Sequence, residues 1–558
     1  MDDTTDQREV LLGVEMERGE SSSSIAYDQL PLAVAKPAPK ETTKPTLNYD
    51  GDQNDVHTMP TSQVSVYLCC CCCVAPKDYK KKYFPEPRQC TNVIFAVLWS
   101  VCFLAGLCFF AYLAAAHSSE WSANFKKITK STMTDQQRKN IIGLCAVCFS
   151  SSAVTIIGMF AFLKYQTHCA IRCSLACLWV AALSYGVWMV SVQKYFVGIM
   201  LLFLCMSIPL FFHLLRSKFS VTALLIRSAS AVVWGRVSLL VCALVSVGFH
   251  VLWILMCGIV FIQLKSQGYE KSDKTYFANF LPLCTLLFFY YIWTAELIRY
   301  LMTYLTSSVV ANWACFDSDD KEVRRAHLKE RGFLAEWPTL AAIKYAFWHN
   351  LGVLALASLL VALIQTLRLF VRLLDRDGDG SCEQCLIDCI LRCLEGQIRY
   401  MNNYAVTYSA IFGLGFLASS KQFMHQLQQR QGFQTVYNDD ITAYVVLGSS
   451  LVVGSVTGIF SGGLAWAVFG IIRIDQVVLV AFLFGLFAGL AALQVISAGV
   501  SALFVLYLYP ETQIVFQSNH PQEYAVMRGA IEHSTGVELK EFQCLSGEGC
   551  CCPIVICI

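Results

Sequence analysis

Charge is scarce in this chain. Asp, Glu, Lys and Arg make up 15% of its 558 residues, against about 25% in ordinary soluble domains. With 56% hydrophobic residues and a mean hydropathy of +0.51, that scarcity excludes a string of soluble domains and implies an integral membrane protein. Neither sign of charge dominates: 42 basic and 40 acidic residues leave a net of +2. No nucleic-acid partner is indicated. The G-x-x-x-x-G-K-[ST], H-E-x-x-H and G-x-S-x-G patterns are all missing, so common membrane ATPase and hydrolase centres are not expected, nor is a cofactor. Residues 1–66 lack an apolar core, so they do not read as a secretory leader.

What the chain has instead is apolar length. A helix needs about 20 mostly apolar residues to cross a bilayer, and ten stretches qualify: 93–116, 141–163, 170–192, 196–215, 237–264, 279–305, 340–367, 404–427, 441–472 and 477–508. The fold class expected is all-α, a polytopic membrane protein with about ten transmembrane helices. Three parts follow: a disordered cytoplasmic tail over 1–89, a ten-helix domain over 90–515 and a cytoplasmic tail over 516–558. Orientation comes from Lys and Arg in short loops. Lys77, Lys80, Lys81, Lys82 and Arg88 put the N-terminus in the cytoplasm, and the basic residues of 216–236 and 306–339 fall on the same side. The segment 117–140, which alternation puts outside, is also basic and fits less well.

Cysteine is abundant, at 27 residues. Most lie in apolar runs and act as small hydrophobes. Cys69, Cys70, Cys71, Cys72 and Cys73 are different: they precede "KDYKKK" and a membrane span. That is the pattern of reversible acylation, in which acyl chains and basic residues both bind membrane lipid. A free-thiol cluster is the alternative. Cys382, Cys385, Cys389 and Cys393 share a helical face, suited to disulfides outside the cell or to acylation inside. They lack the second ligand pair of a zinc site. "DRDGDG" (375–380) opens like a calcium loop, but its twelfth position is Leu386, which has no oxygen. An Asp/Gly-rich turn is the reading there, and no metal is expected.

Several runs carry a family resemblance. "CLEGQIRYMNNYAVTYSAIFGLGFLASSKQF" (393–423), "PTLAAIKYAFWHNLGVLALASLLVALIQTLRLF" (338–370) and "FFYYIWTAELIRYLMTYLTSSVVANWACF" (288–316) resemble the choline transporter-like family, nearest its fungal and protist branch. The resemblance spans roughly 90–515. It implies a multi-pass carrier in the plasma membrane that moves choline or a related quaternary amine without ATP.

A quaternary ammonium has no strong hydrogen to donate; ring faces and a nearby negative charge hold it. Glu296 is the one acidic residue within the ten stretches, and an ionisable group in a span is a functional candidate. Trp293, Glu296 and Tyr300 lie at i, i+3 and i+7, on one helical face. Trp348, Tyr404 and Tyr408 are candidates for the remaining walls of a cage. A structural ion pair between Glu296 and Arg299 is the competing reading. His250 reads as a hydrogen-bonded core residue. Two other functions stay open: a lipid scramblase or channel, and an acylated scaffold that transports nothing. Oligomeric state is not legible.

Overall fold

The computed structural model describes residues 90–116, 135–214, 219–269, 274–317, 337–374, 382–429, 432–469, 474–508 and 510–535. Cys69 to Cys73, Asp375 to Asp379, the tail up to residue 89 and Cys550 to Cys552 lie outside them. Among the described residues the chain is helical, with no strand: α1 Val93–Ala116, α2 Asp135–Tyr165, α3 Thr167–Ser191, α4 Tyr195–Leu214, α5 Phe219–Gly235, α6 Val237–Tyr269, α7 Lys274–Phe316, α8 Pro338–Trp348, α9 Leu351–Leu374, α10 Cys382–Phe412, α11 Phe416–Gln429, α12 Gly432–Phe469, α13 Ile474–Leu508, α14 Pro510–Asn519 and α15 Pro521–Thr535.

Among the described residues, seven helices are long and apolar enough to cross a membrane: α1, α2, α3, α6, α9, α12 and α13. Their outward surfaces are apolar, as on α1, where Ile94, Val97 and Leu104 are exposed. Lipid is the solvent such surfaces require. The expected count of ten is not confirmed: 196–215, 279–305 and 404–427 are not among these seven. Two of the three show how the chain is arranged there. The 279–305 stretch lies in α7, whose second half from Trp293 onward is largely buried against α6, α9, α10 and α13. The 404–427 stretch is two helices, α10 and α11, parted at Gly413–Gly415. Gly413 has φ 70°, a left-handed conformation that ends a helix.

The 340–367 stretch is also divided, into α8 and α9 at His349–Asn350. Both breaks meet the start of α1. Thr91 donates its backbone N–H to the His349 carbonyl at 3.0 Å, and its hydroxyl to Asn350 Oδ1 at 3.0 Å. Asn350, fully buried, donates to the Tyr304 hydroxyl at 2.8 Å and accepts from Ser409 at 3.3 Å. One amide thus ties α1, α7, α9 and α10, and supplies partners where the ladders are interrupted. The segment 368–403, which the ten stretches leave as a connecting loop, is mostly helix: α9 runs to Leu374 and α10 begins at Cys382. Cys389 and Cys393 are exposed, free thiols.

α12 and α13 pack closely through small residues. Gly454, Gly458 and Gly462 recur every fourth residue along α12. A Cβ at Gly454 would stand 2.9 Å from the Phe482 carbonyl, and one at Gly485 would stand 2.8 Å from the Thr457 side chain. Gly463, one residue along, faces open space. α3 joins this pair where Ser174 and Ser449 share a hydrogen bond of 3.0 Å.

The first residues of the segment read as a C-terminal tail are helical. α14 and α15 pack on α7 and α5. His520 stacks on Trp313 with centroids 4.2 Å apart and donates from Nε2 to its carbonyl at 3.1 Å, while Asn519 donates to the Ala314 carbonyl at 3.2 Å. His520→Ala removes the stack and that bond, a loss of about 1–2 kcal/mol. Limited proteolysis is expected to cut 510–535 several times faster in that variant, with the bundle itself unchanged.

Candidate functional site

The α7–α9–α10 seam carries charge where three helices meet. Glu296 of α7 is buried, with only 8% of its surface exposed. Its two oxygens are held by two guanidiniums. Arg299, three residues along the same helix, donates from Nε to Oε2 at 2.6 Å. Arg399 of α10 reaches Oε1 from Nη2 at 2.7 Å. Arg299 also lies over the ring of Tyr300, 4.3 Å from its centroid, and touches Asn403 Oδ1 at 3.5 Å.

The network continues along α10. Arg399 donates from Nε to Glu395 at 3.0 Å. Glu395 also accepts from Arg368 at 3.1 Å and from Gln365 at 2.7 Å, both on α9. Arg368 donates to Asp388 at 2.7 Å, and Arg372 and Arg392 reach the same carboxylate at 3.1 and 3.0 Å. In the other direction the seam turns to hydroxyls: Ser307 and Thr407 lie 3.3 Å apart, and Gln494 of α13 donates to Thr303 at 3.5 Å. It ends at Ser409 and Asn350. From Asp388 to Ser409 the rise along α10 is about 32 Å, which matches the depth of a bilayer core.

The predicted residues fall into three groups. Trp293, Glu296 and Tyr300 share the α7 face that meets α9 and α10. Trp293 is buried and donates its indole N–H to the Ala355 carbonyl of α9 at 3.2 Å. Tyr300 is fully buried. Tyr404 and Tyr408 lie on a different face of α10. Tyr404 stacks on Phe423 of α11 with centroids 4.3 Å apart, and Tyr408 packs on Phe412 and Phe423. They pin the α10–α11 hairpin and do not join the Glu296 cluster. Trp348 ends α8 and is 74% exposed, outside any enclosed wall. His250 faces two carbonyls, Ser246 at 2.8 Å and Ala295 at 3.3 Å, as expected of a hydrogen-bonded core histidine.

Arg399, Glu395, Arg368 and Asn350 were not foreseen. The signal was present. Asp388, Arg392, Glu395, Arg399 and Asn403 repeat at three- and four-residue spacing, one polar stripe on a helix. Treating the segment as a loop concealed it. Among the described residues no group of His, Cys, Asp and Glu is arranged to hold a metal ion.

An all-α membrane bundle with paired charges between its helices and two interrupted helices has the architecture of a membrane transporter. The comparisons specify the class. A family profile described as plasma-membrane choline transporter matches residues 199–511, more than half of the chain and all of the seam. The chain belongs to the choline transporter-like family. Its relatives include the protein PNS1 of Kluyveromyces lactis, 22% identical over 66% of this chain and 68% of that protein. PNS1 of Eremothecium gossypii is 24% identical over 57% of each chain. A CTL-like protein of Dictyostelium discoideum is 25% identical over 59% of this chain and 56% of its own length. The chain thus spans little more than half to two thirds of these relatives.

Proposed function

We propose that this protein carries choline or a related quaternary-amine cation across a membrane by alternating access, with Trp293, Glu296 and Tyr300 at the binding position. The observation that carries this reading is the buried Glu296 carboxylate on an α7 face that it shares with Trp293 and Tyr300, inside the region that matches the family. A carboxylate and ring faces are what a methylated ammonium needs. Family membership supports a carrier, and the printed names of the relatives leave its substrate open. The plasma membrane is the proposed location. Acylation of Cys69 to Cys73 is part of the same proposal.

Choline brings its own charge, so an inside-negative potential favours entry by about 2.3 kcal/mol per 100 mV. No coupling ion is required. The scaffold reading draws on one specific observation, the Glu296–Arg299 pair, which a purely structural helix would also use. Uptake separates the two. Cells that lack their own carrier are expected to accumulate labelled choline when they express the protein, and about tenfold less when they express Trp293→Ala, which removes about 2 kcal/mol or less of cation–π attraction together with the indole contact to α9. Surface expression equal to wild type with no uptake by either form would leave the scaffold.

A further inference from the structure

The Glu296 site is already occupied by cations. One guanidinium lies on the Tyr300 ring and on one carboxylate oxygen, and a second lies on the other oxygen. Glu296, Arg299, Arg399 and Glu395 together carry no net charge. Both carboxylate oxygens of Glu296 are taken by guanidiniums, so an incoming monocation finds neither of them free. Binding therefore requires that one arginine let go of Glu296.

The two arginines differ in how freely they can leave. Arg299 is on the same helix as Glu296, its side chain is 20% exposed, and among the described residues Glu296 is the one carboxylate it pairs with, beside the Tyr300 ring and Asn403. Releasing it strands a charge. Arg399 comes from α10, its side chain is 29% exposed, and its Nε already rests on Glu395 one turn back. Moving off Glu296, it keeps a partner. Arg368, which shares Glu395, keeps Asp388 as well.

We propose that Arg399 is a tethered cation that fills the substrate's place on Glu296 and withdraws to Glu395 when an organic cation binds. This rests on the transport reading above and adds a selectivity and coupling device to it. Arg399 ties α10 to α7, so its withdrawal opens the seam between them in the same step. Binding and gating become one exchange of cations. A neutral amine of the same shape cannot displace Arg399, so the site selects for fixed positive charge.

Equilibrium binding of labelled choline to the purified full-length chain tests this. Arg399→Gln removes the competitor and is expected to tighten choline binding about fivefold to tenfold. Glu395→Gln removes the resting place, leaves Arg399 on Glu296, and is expected to weaken binding by a similar factor. A structural role for Arg399 would weaken binding in both variants, and that result overturns the proposal, as does an unchanged affinity in Arg399→Gln. Should Arg399→Gln fail to fold, Glu395→Gln decides alone: unchanged or tighter binding overturns the proposal. Choline binding by wild type without opposite shifts in the variants defeats this inference only. No binding by wild type defeats the transport reading, and this inference with it.

Discussion

Glu296→Gln is expected to abolish choline uptake and to destabilise the protein by about 3–5 kcal/mol, the range for removing one partner of a buried ion pair. The cost follows from what is left behind. Arg399 retains Glu395, but Arg299 keeps only Asn403 at 3.5 Å and the Tyr300 ring. A second substitution separates stability from function. Glu296→Gln combined with Arg299→Gln removes the stranded charge, so thermal unfolding in detergent should recover most of the loss while uptake stays absent. Recovery of uptake along with stability would mean that the carboxylate matters only for folding.

Gly352→Ala is the second large effect, and it acts through packing alone. Gly352 opens α9 where α1 begins, and a Cβ there would overlap the Asn92 carbonyl. Asn92 cannot easily yield. It holds φ 55° and its carbonyl accepts the N–H of Phe95 at 3.0 Å. The neighbouring Thr91 is bonded to His349 and Asn350. Overpacking against backbone costs about 1–3 kcal/mol or more, and here it also strains the knot that joins α1, α7, α9 and α10. Gly352→Ala should give little monodisperse protein, whereas Gly463→Ala, which meets open space, should behave as wild type. Equal yields from the two would show that the α1–α9 approach is looser than described.

The apolar runs made most of the bundle legible, because lipid contact forces a helix to be apolar along its whole outer face. Legibility failed where that force is absent. α7 has its second half sheathed by other helices, and there Thr, Glu and Arg interrupt the apolar run. α10 and α11 read as one helix because Gly413 and Gly415 look like ordinary glycines in an apolar sequence. Only the left-handed φ at Gly413 reveals the break. The site was half visible. Glu296 stood out as an acid in an apolar stretch, and Arg299 was near enough in sequence to be weighed as its partner. Arg399 lies a hundred residues further on, in a segment polar enough to pass for a loop, and nothing local in the sequence pairs it with Glu296. Tyr404 and Tyr408 show the opposite case: the sequence offers them as cage walls and cannot say that their faces belong to Phe423.

The central claim is that a fixed cation passes through the seam by way of Glu296, drawn by the membrane potential. The most direct measurement is labelled choline uptake into proteoliposomes holding the purified full-length chain, with an inside-negative diffusion potential switched on and off. Uptake that rises steeply with the potential in wild type, and vanishes in the stable Glu296→Gln, Arg299→Gln double variant, is the predicted result. Uptake undiminished in that variant, or indifferent to the potential, would contradict the account.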